Sequence, residues 1–160
     1  MRPGLPAGGL AAHACGDVDE CVAAAYREAV AGMQSRYAVR LRAASTRDEA
    51  LQDATRDLLT YLARHPDVAS FVSVEVLKGG RELMALREEL RRRSVANVRR
   101  ELARFDGPAV APELQVEMLI ATMGHTIARH VTTGETAKLP SALDPALAMA
   151  GACEPLPASG

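Results

Sequence analysis

An all-α chain of about six helices is expected from three features of the sequence. Apolar residues supply 48% of its 160 positions, yet aromatics are only 3% and Trp is absent. Ala, Leu, Val, Arg and Glu make up most of the bulk, and these side chains lose little rotamer freedom in a helix. Apolar positions recur with the helical period over long stretches, and no strand-like alternation competes with them. A single core of ordinary size is within reach of this length.

The helices follow in order. Residues 1–16 are rich in Gly, Pro and Ala and carry little periodicity. From Asp17 the pattern becomes helical, with Asp17 or Asp19 as cap and Val22, Ala25, Ala29, Met33 and Tyr37 on one stripe. Ser45-Thr46 interrupts it, and Thr46 with Glu49 forms a capping-box pattern. The next helix turns Leu51, Ala54, Leu58 and Leu62 inward and stops at His65, because Pro66 disfavours helical geometry in the residue before it. A short helix from about Asp67 to Val76 closes at Gly79-Gly80.

The segment from Arg81 to Phe105 is long and charged, with Leu83, Leu86, Leu90, Val98 and Phe105 marking its buried side. The run from Asp106 to Pro112 breaks the chain, and Pro112 suits the first turn of the helix that follows. That helix is apolar over most of its circumference, which predicts burial on more than one side. Asp144-Pro145 then caps a short apolar helix ahead of a Pro/Gly tail at 152–160.

Composition also excludes function classes. A net charge of −1 offers no global positive field for nucleic acid. The opening segment is neither a secretory signal nor a membrane anchor, and no later stretch is apolar enough to span a bilayer. Cys15, Cys21 and Cys153 are odd in number and lack paired spacing, which argues against a disulfide framework and makes a reducing cytoplasm the default. His13, Cys15, Asp17, Asp19 and Cys21 cluster in sequence but lack the spacing of a zinc site. Phosphate-binding loops, nucleophile elbows and dinucleotide fingerprints are missing, so neither a metal nor a cofactor is expected.

The order of elements from Thr46 to Gly134 resembles the regulatory half of TetR-family transcriptional regulators. The resemblance rests on the capped helix ending in His65-Pro66-Asp67, the Gly79-Gly80 break, the long charged helix and the Pro112-Glu113-Leu114 start. Gly4-Leu5-Pro6-Ala7-Gly8-Gly9-Leu10 and the residues through Val22 also resemble, without a gap, the family's recognition-helix segment and linker. Four positions depart from it. Ala11 stands for an aromatic, Cys15 for a Phe, Val18 for a Lys and Cys21 for a Leu.

Ala and Cys would underfill the small core that packs a recognition helix, and the Lys and aromatic are natural phosphate contacts. Without its supporting helices a recognition helix is not held in the major groove. Residues 1–16 are therefore expected to be a disordered or partly helical remnant, and the chain as written should not read DNA. Either the start codon lies upstream or the DNA-binding domain has been shed. Residues 17–151 would then be a ligand-binding and dimerisation domain.

By that resemblance, residues 112–133 and 142–151 would pair with their copies in a homodimer, and a small apolar effector would sit among the central helices. At about 100° per residue, Ser94, Asn97 and Glu101 share a side with Leu83, Leu90 and Phe105 on the charged helix. They are either polar residues at a stripe edge or the few polar groups of a mostly apolar ligand wall. His125 shares a face with Leu114, Met118, Ala121 and Ala128. It is a packed interface residue, a ligand contact, or a general base if a carboxylate orients it. Glu117, rotated by roughly 80°, suits that orienting role poorly. His65 reads as a helix-end residue, and His130 as lying near the polar side.

Met33, Met84, Met118 and Met123 are plain core or an adaptable apolar lining. Arg91-Arg92-Arg93 and Arg99-Arg100, alternating with Glu88, Glu89 and Glu101, read as a solvated face with paired charges. The candidate ligand contacts are Phe71, Glu75, Met84, Ser94, Asn97, Met118, Thr122 and His125. The rival reading is a stand-alone binder or enzyme on the same helical cavity, with His125, Asn97 or Glu75 carrying the chemistry, since function belongs to the site and not the fold. A third reading is a gene remnant.

Overall fold

A computed structural model describes residues 17–106 and 113–151. The described residues form six α-helices and no strand, in agreement with the all-α expectation. They are α1 (Val18–Ala43), α2 (Arg47–Arg64), α3 (Pro66–Ser73), α4 (Arg81–Asp106), α5 (Glu113–Thr132) and α6 (Leu143–Gly151). Short 3₁₀ segments occupy Glu75–Lys78 and Thr136–Ala142. The remnant segment 1–16, the break at 107–112 with Pro112, and the tail 152–160 lie outside the described residues.

Local signals place the helix starts well. The Asp17 side chain accepts from the Asp19 amide at the head of α1. Thr46 Oγ1 accepts from the Glu49 amide at 3.2 Å, as the capping-box pattern requires. The reciprocal bond goes one residue further back, where Glu49 Oε2 accepts from the Ser45 amide at 2.9 Å. Pro66 opens α3 at the first helical position, where its missing N–H costs nothing.

Several expectations need correction. The buried side of α1 carries Tyr26, Val30, Tyr37 and Leu41, while Ala25 is exposed. This stripe is turned by roughly 70° from the Val22–Ala29 one. The large side chains win because each buries more apolar area than an alanine. Asp144 and Pro145 lie within the first turn of α6, which begins at Leu143 and follows directly on the Thr136–Ala142 segment. Proline is tolerated there because the first amides of a helix have no partner in the helix. Cys21 is disulfide-bonded, against the reading of the cysteines, and both other cysteines lie outside the described residues.

The largest core cluster joins Tyr37 and Leu41 of α1 to Ala50 and Ala54 of α2, Val95, Val98 and Leu102 of α4, and Val116 of α5. A second cluster packs Leu59 and Leu62 against Ile127, Leu139 and Leu143. The helix α5 is buried along Val116, Leu119, Met123 and Ile127, but Leu114 and His125 are exposed, so its burial is less complete than its composition suggested. At its end the chain reverses through Gly134 at φ 72°, with Gly134 N–H donating to Val131 O and Glu135 N–H to His130 O. These two bonds form a Schellman cap, which needs a left-handed residue at the Gly134 position. His130, expected near the polar side, is buried beside this turn, with Nδ1 2.8 Å from Thr126 O.

Two glycines should respond to alanine with opposite sign. Gly134→Ala places a Cβ on a left-handed residue and should cost about 1 kcal/mol. A Cβ on Gly32, inside α1, meets nothing within 4 Å, so Gly32→Ala should stabilise by roughly 0.5–1 kcal/mol. Urea denaturation of the two variants checks the pair.

Candidate functional site

Small side chains on facing helices leave space that large ones would fill. Ala31 and Ala38 of α1 face Ala121, Gly124 and Ala128 of α5 across a cleft of about 870 Å³. Leu58 and Leu62 of α2 form part of its floor, and Leu90, Ser94 and Val98 of α4 form a wall. Leu119, Met123 and Ile127 bring α5 to the other side. Tyr26, Met33 and Tyr37 complete the α1 side. The volume falls in the upper part of the roughly 300–1,000 Å³ range of small-molecule sites.

The structure brings together three of the eight residues expected to contact a ligand. Ser94, Asn97 and His125 line the cleft, as does Glu101. Phe71 lies behind the lining, edge-on to Tyr26 with centroids 6.2 Å apart. Glu75 is exposed and paired with Lys78 at 2.8 Å. Met84, Met118 and Thr122 are half-buried outside the lining. His125 makes no hydrogen bond or ion pair among the described residues, while Glu117 is engaged by Arg91.

Sequence reasoning missed Gln34. Its Nε2 donates to Ser94 Oγ at 2.7 Å and lies 3.5 Å from Leu90 O, tying α1 to α4 across the cleft wall. Ser94 Oγ in turn donates to Leu90 O at 2.9 Å. With α1 phased on Val22 and Ala29, Gln34 falls on the far side; phased on Tyr26 and Leu41, it falls beside the buried stripe. Asn97 is turned to the rim, where its Oδ1 accepts from Arg100 at 3.1 Å.

The charged face of α4 is mostly the solvated surface expected. Arg92 pairs with Glu88, and Arg93 with Glu89. Arg91 differs. It is half-buried and donates to both Glu88 oxygens, at 2.8 and 3.0 Å, and to Glu117 Oε1 of α5 at 3.4 Å. The Arg91 and Arg92 guanidiniums hold the Glu88 carboxyl down at about 2. At the other end Arg42 of α1 pairs with Glu101 of α4 at 3.2 Å. Below them Tyr37 Oη lies 3.0 Å from Thr55 Oγ1 in the core. Burial pushes the Tyr37 hydroxyl up to about 12, with the Thr55 hydrogen bond opposing, so it stays protonated.

Among the described residues no side chain is bonded to His125 to orient it as a general base. Among the described residues no group of three or more His, Cys, Asp and Glu side chains could hold a metal ion, and no helix is long and apolar enough to cross a membrane. No family model, curated protein or solved structure matches the chain.

Two measurements probe the frame of the cleft. Tyr37→Phe leaves the buried Thr55 hydroxyl unpaired and should cost about 1–2 kcal/mol. Adding Thr55→Val should recover part of that loss, so a double-mutant cycle in urea should give a non-zero coupling. The Glu88 clasp is pH-sensitive with a defined sign. Its folded value of about 2 lies below the ordinary 4.5, so its stabilisation is present above 4.5 and is lost as pH falls through about 2. Melting temperatures over that window should fall less steeply for Glu88→Gln than for the parent. Salt should shrink the difference, because the pair is solvent-facing. Parallel acid profiles would remove Glu88 from the account.

Proposed function

We propose that the chain is the effector-binding and dimerisation part of a TetR-like transcriptional regulator and that the cleft binds a small, largely apolar molecule. The observation that supports it most is the cleft itself, with an apolar floor and a few polar groups at its wall and rim. Helix α1 is one wall, and its first residues, Val18 to Val22, belong to the segment that resembles a recognition-helix linker. A ligand favouring one separation of α1 from α4 and α5 would shift the population of that separation, and through α1 the placement of an attached DNA-binding head. On this reading the described residues sense and do not read DNA, consistent with the net charge of −1. Exposed Leu114 and half-buried Met118 on α5, which lie outside the cleft lining, support pairing with a second copy, together with α6. A cytoplasmic setting goes with this proposal, although the disulfide at Cys21 removes the cysteine argument for it.

Native mass spectrometry of the protein isolated from its own cells tests both parts. The expected species is a dimer carrying additional small-molecule mass. In a parallel titration, a saturating apolar probe such as N-phenyl-1-naphthylamine, at a hundred times its Kd, should stabilise the protein by about 2.7 kcal/mol. Ala38→Trp should abolish that gain by filling the cleft. A bare monomer of 17.0 kDa that gains no stability from the probe would overturn the proposal. A ligand-carrying monomer would leave a stand-alone binder.

A further inference from the structure

The side chains around the cleft are unequal in what they have left to offer a ligand. Glu101 and Arg42 hold each other, and Arg91 is taken by Glu88 and Glu117. Arg100 is bonded to Asn97, and Gln34 to Ser94. Arg87 stands apart. It lines the cleft from α4 and is half-buried, yet it has no hydrogen bond or ion pair among the described residues. A guanidinium taken partly out of water without a counter-charge loses hydration that nothing nearby replaces. Its position makes it an anchor for an anion.

A second group points the same way. Tyr26 lines the same cleft and is buried, with 5% of its surface exposed, and its hydroxyl has no hydrogen bond among the described residues. Arg87 acts on it electrostatically, drawing its pKa down, while the larger effect of burial raises it. The phenol therefore stays protonated near neutrality and is available as a donor. The Phe71 ring holds Tyr26 in place edge-on.

We infer that the cleft takes an amphipathic anion, whose carboxylate-type head is held by Arg87 and the Tyr26 hydroxyl and whose aliphatic chain lies against the apolar lining of Val30, Leu62, Leu90 and Met123. This rests on the cleft being a ligand site, and it names the class of ligand. Arginine suits the role because its planar fork meets both oxygens of a carboxylate. The apolar part of the lining rewards a hydrocarbon chain, and the other guanidiniums in it, Arg42, Arg91 and Arg100, are already bonded to Glu101, to Glu88 and Glu117, and to Asn97.

The test compares two probes of equal chain length, dodecanoate and dodecanol, by isothermal titration against the full chain. Dodecanoate should bind at least about ten-fold more tightly, the preference expected of one partly buried charge-assisted contact. Arg87→Gln should erase that preference and leave dodecanol affinity unchanged. Arg87→Lys should keep part of it. Arg56→Gln, which removes the same charge from the exposed Arg56–Asp53 pair, should keep all of it. Equal binding of the two probes by the parent would overturn this inference and leave the apolar-effector proposal standing. Binding of neither would overturn both. A preference that survives Arg87→Gln in a protein with unchanged helicity would also overturn the assignment to Arg87.

Discussion

The junction where α1, α2 and α4 meet around Tyr37, Leu41 and Leu102 carries the rest of the architecture. Leu41 and Leu102 are almost wholly removed from water, at 1% and 0% exposure. The Tyr37 ring is packed beside them, with its hydroxyl satisfied by Thr55. Arg104 closes the junction from α4, donating to Leu41 O and Ala44 O at the end of α1, where helix carbonyls lack partners within the helix. Arg36 and Arg40 of α1 both reach Asp57 of α2 from outside. Apolar burial supplies most of the stabilisation here, and the polar bonds fix the angle at which the helices meet.

That junction anchors one end of two 26-residue helices. Away from it, α1 and α5 face each other with alanine and glycine, and few aromatics are available to fill the space. The cleft is therefore a direct outcome of composition acting through geometry. Its edges are held by polar clasps, Gln34 to Ser94, Arg42 to Glu101, and Arg91 to Glu88 and Glu117. Exposed ion pairs of this kind contribute little individually. Contacts of that strength can be rearranged at modest cost, which is what a ligand-responsive wall requires.

Charge is unevenly distributed over the cleft lining. Arg42 is paired with Glu101 and Arg91 with Glu88 and Glu117, while the exposed Arg100 is bonded to the neutral Asn97. Arg87 is half-buried with no hydrogen bond or ion pair among the described residues, and the buried Tyr26, which lines the same cleft, has a hydroxyl with no hydrogen bond among them. On the proposed reading, a half-buried guanidinium without a counter-charge would let such a cleft discriminate by head-group charge more than by chain shape.

Local chemistry was enough to place the helices. Asp17, Thr46 and Pro66 act within a turn of their own backbone, so their capping roles are readable before any folding is considered. The charged face of α4 was readable for the same reason, since its pairs are three or four residues apart. Long-range packing settled the rest. The phase of α1 turned on whether alanines or large side chains face the core, and only contact with α2 and α4 decides that. Gln34, Arg91 and Arg87 owe their significance to residues 26 to 61 positions away in sequence, or to the lack of such a partner. Helical period can place a side chain on a face. What the opposite wall presents to it is fixed by the tertiary packing.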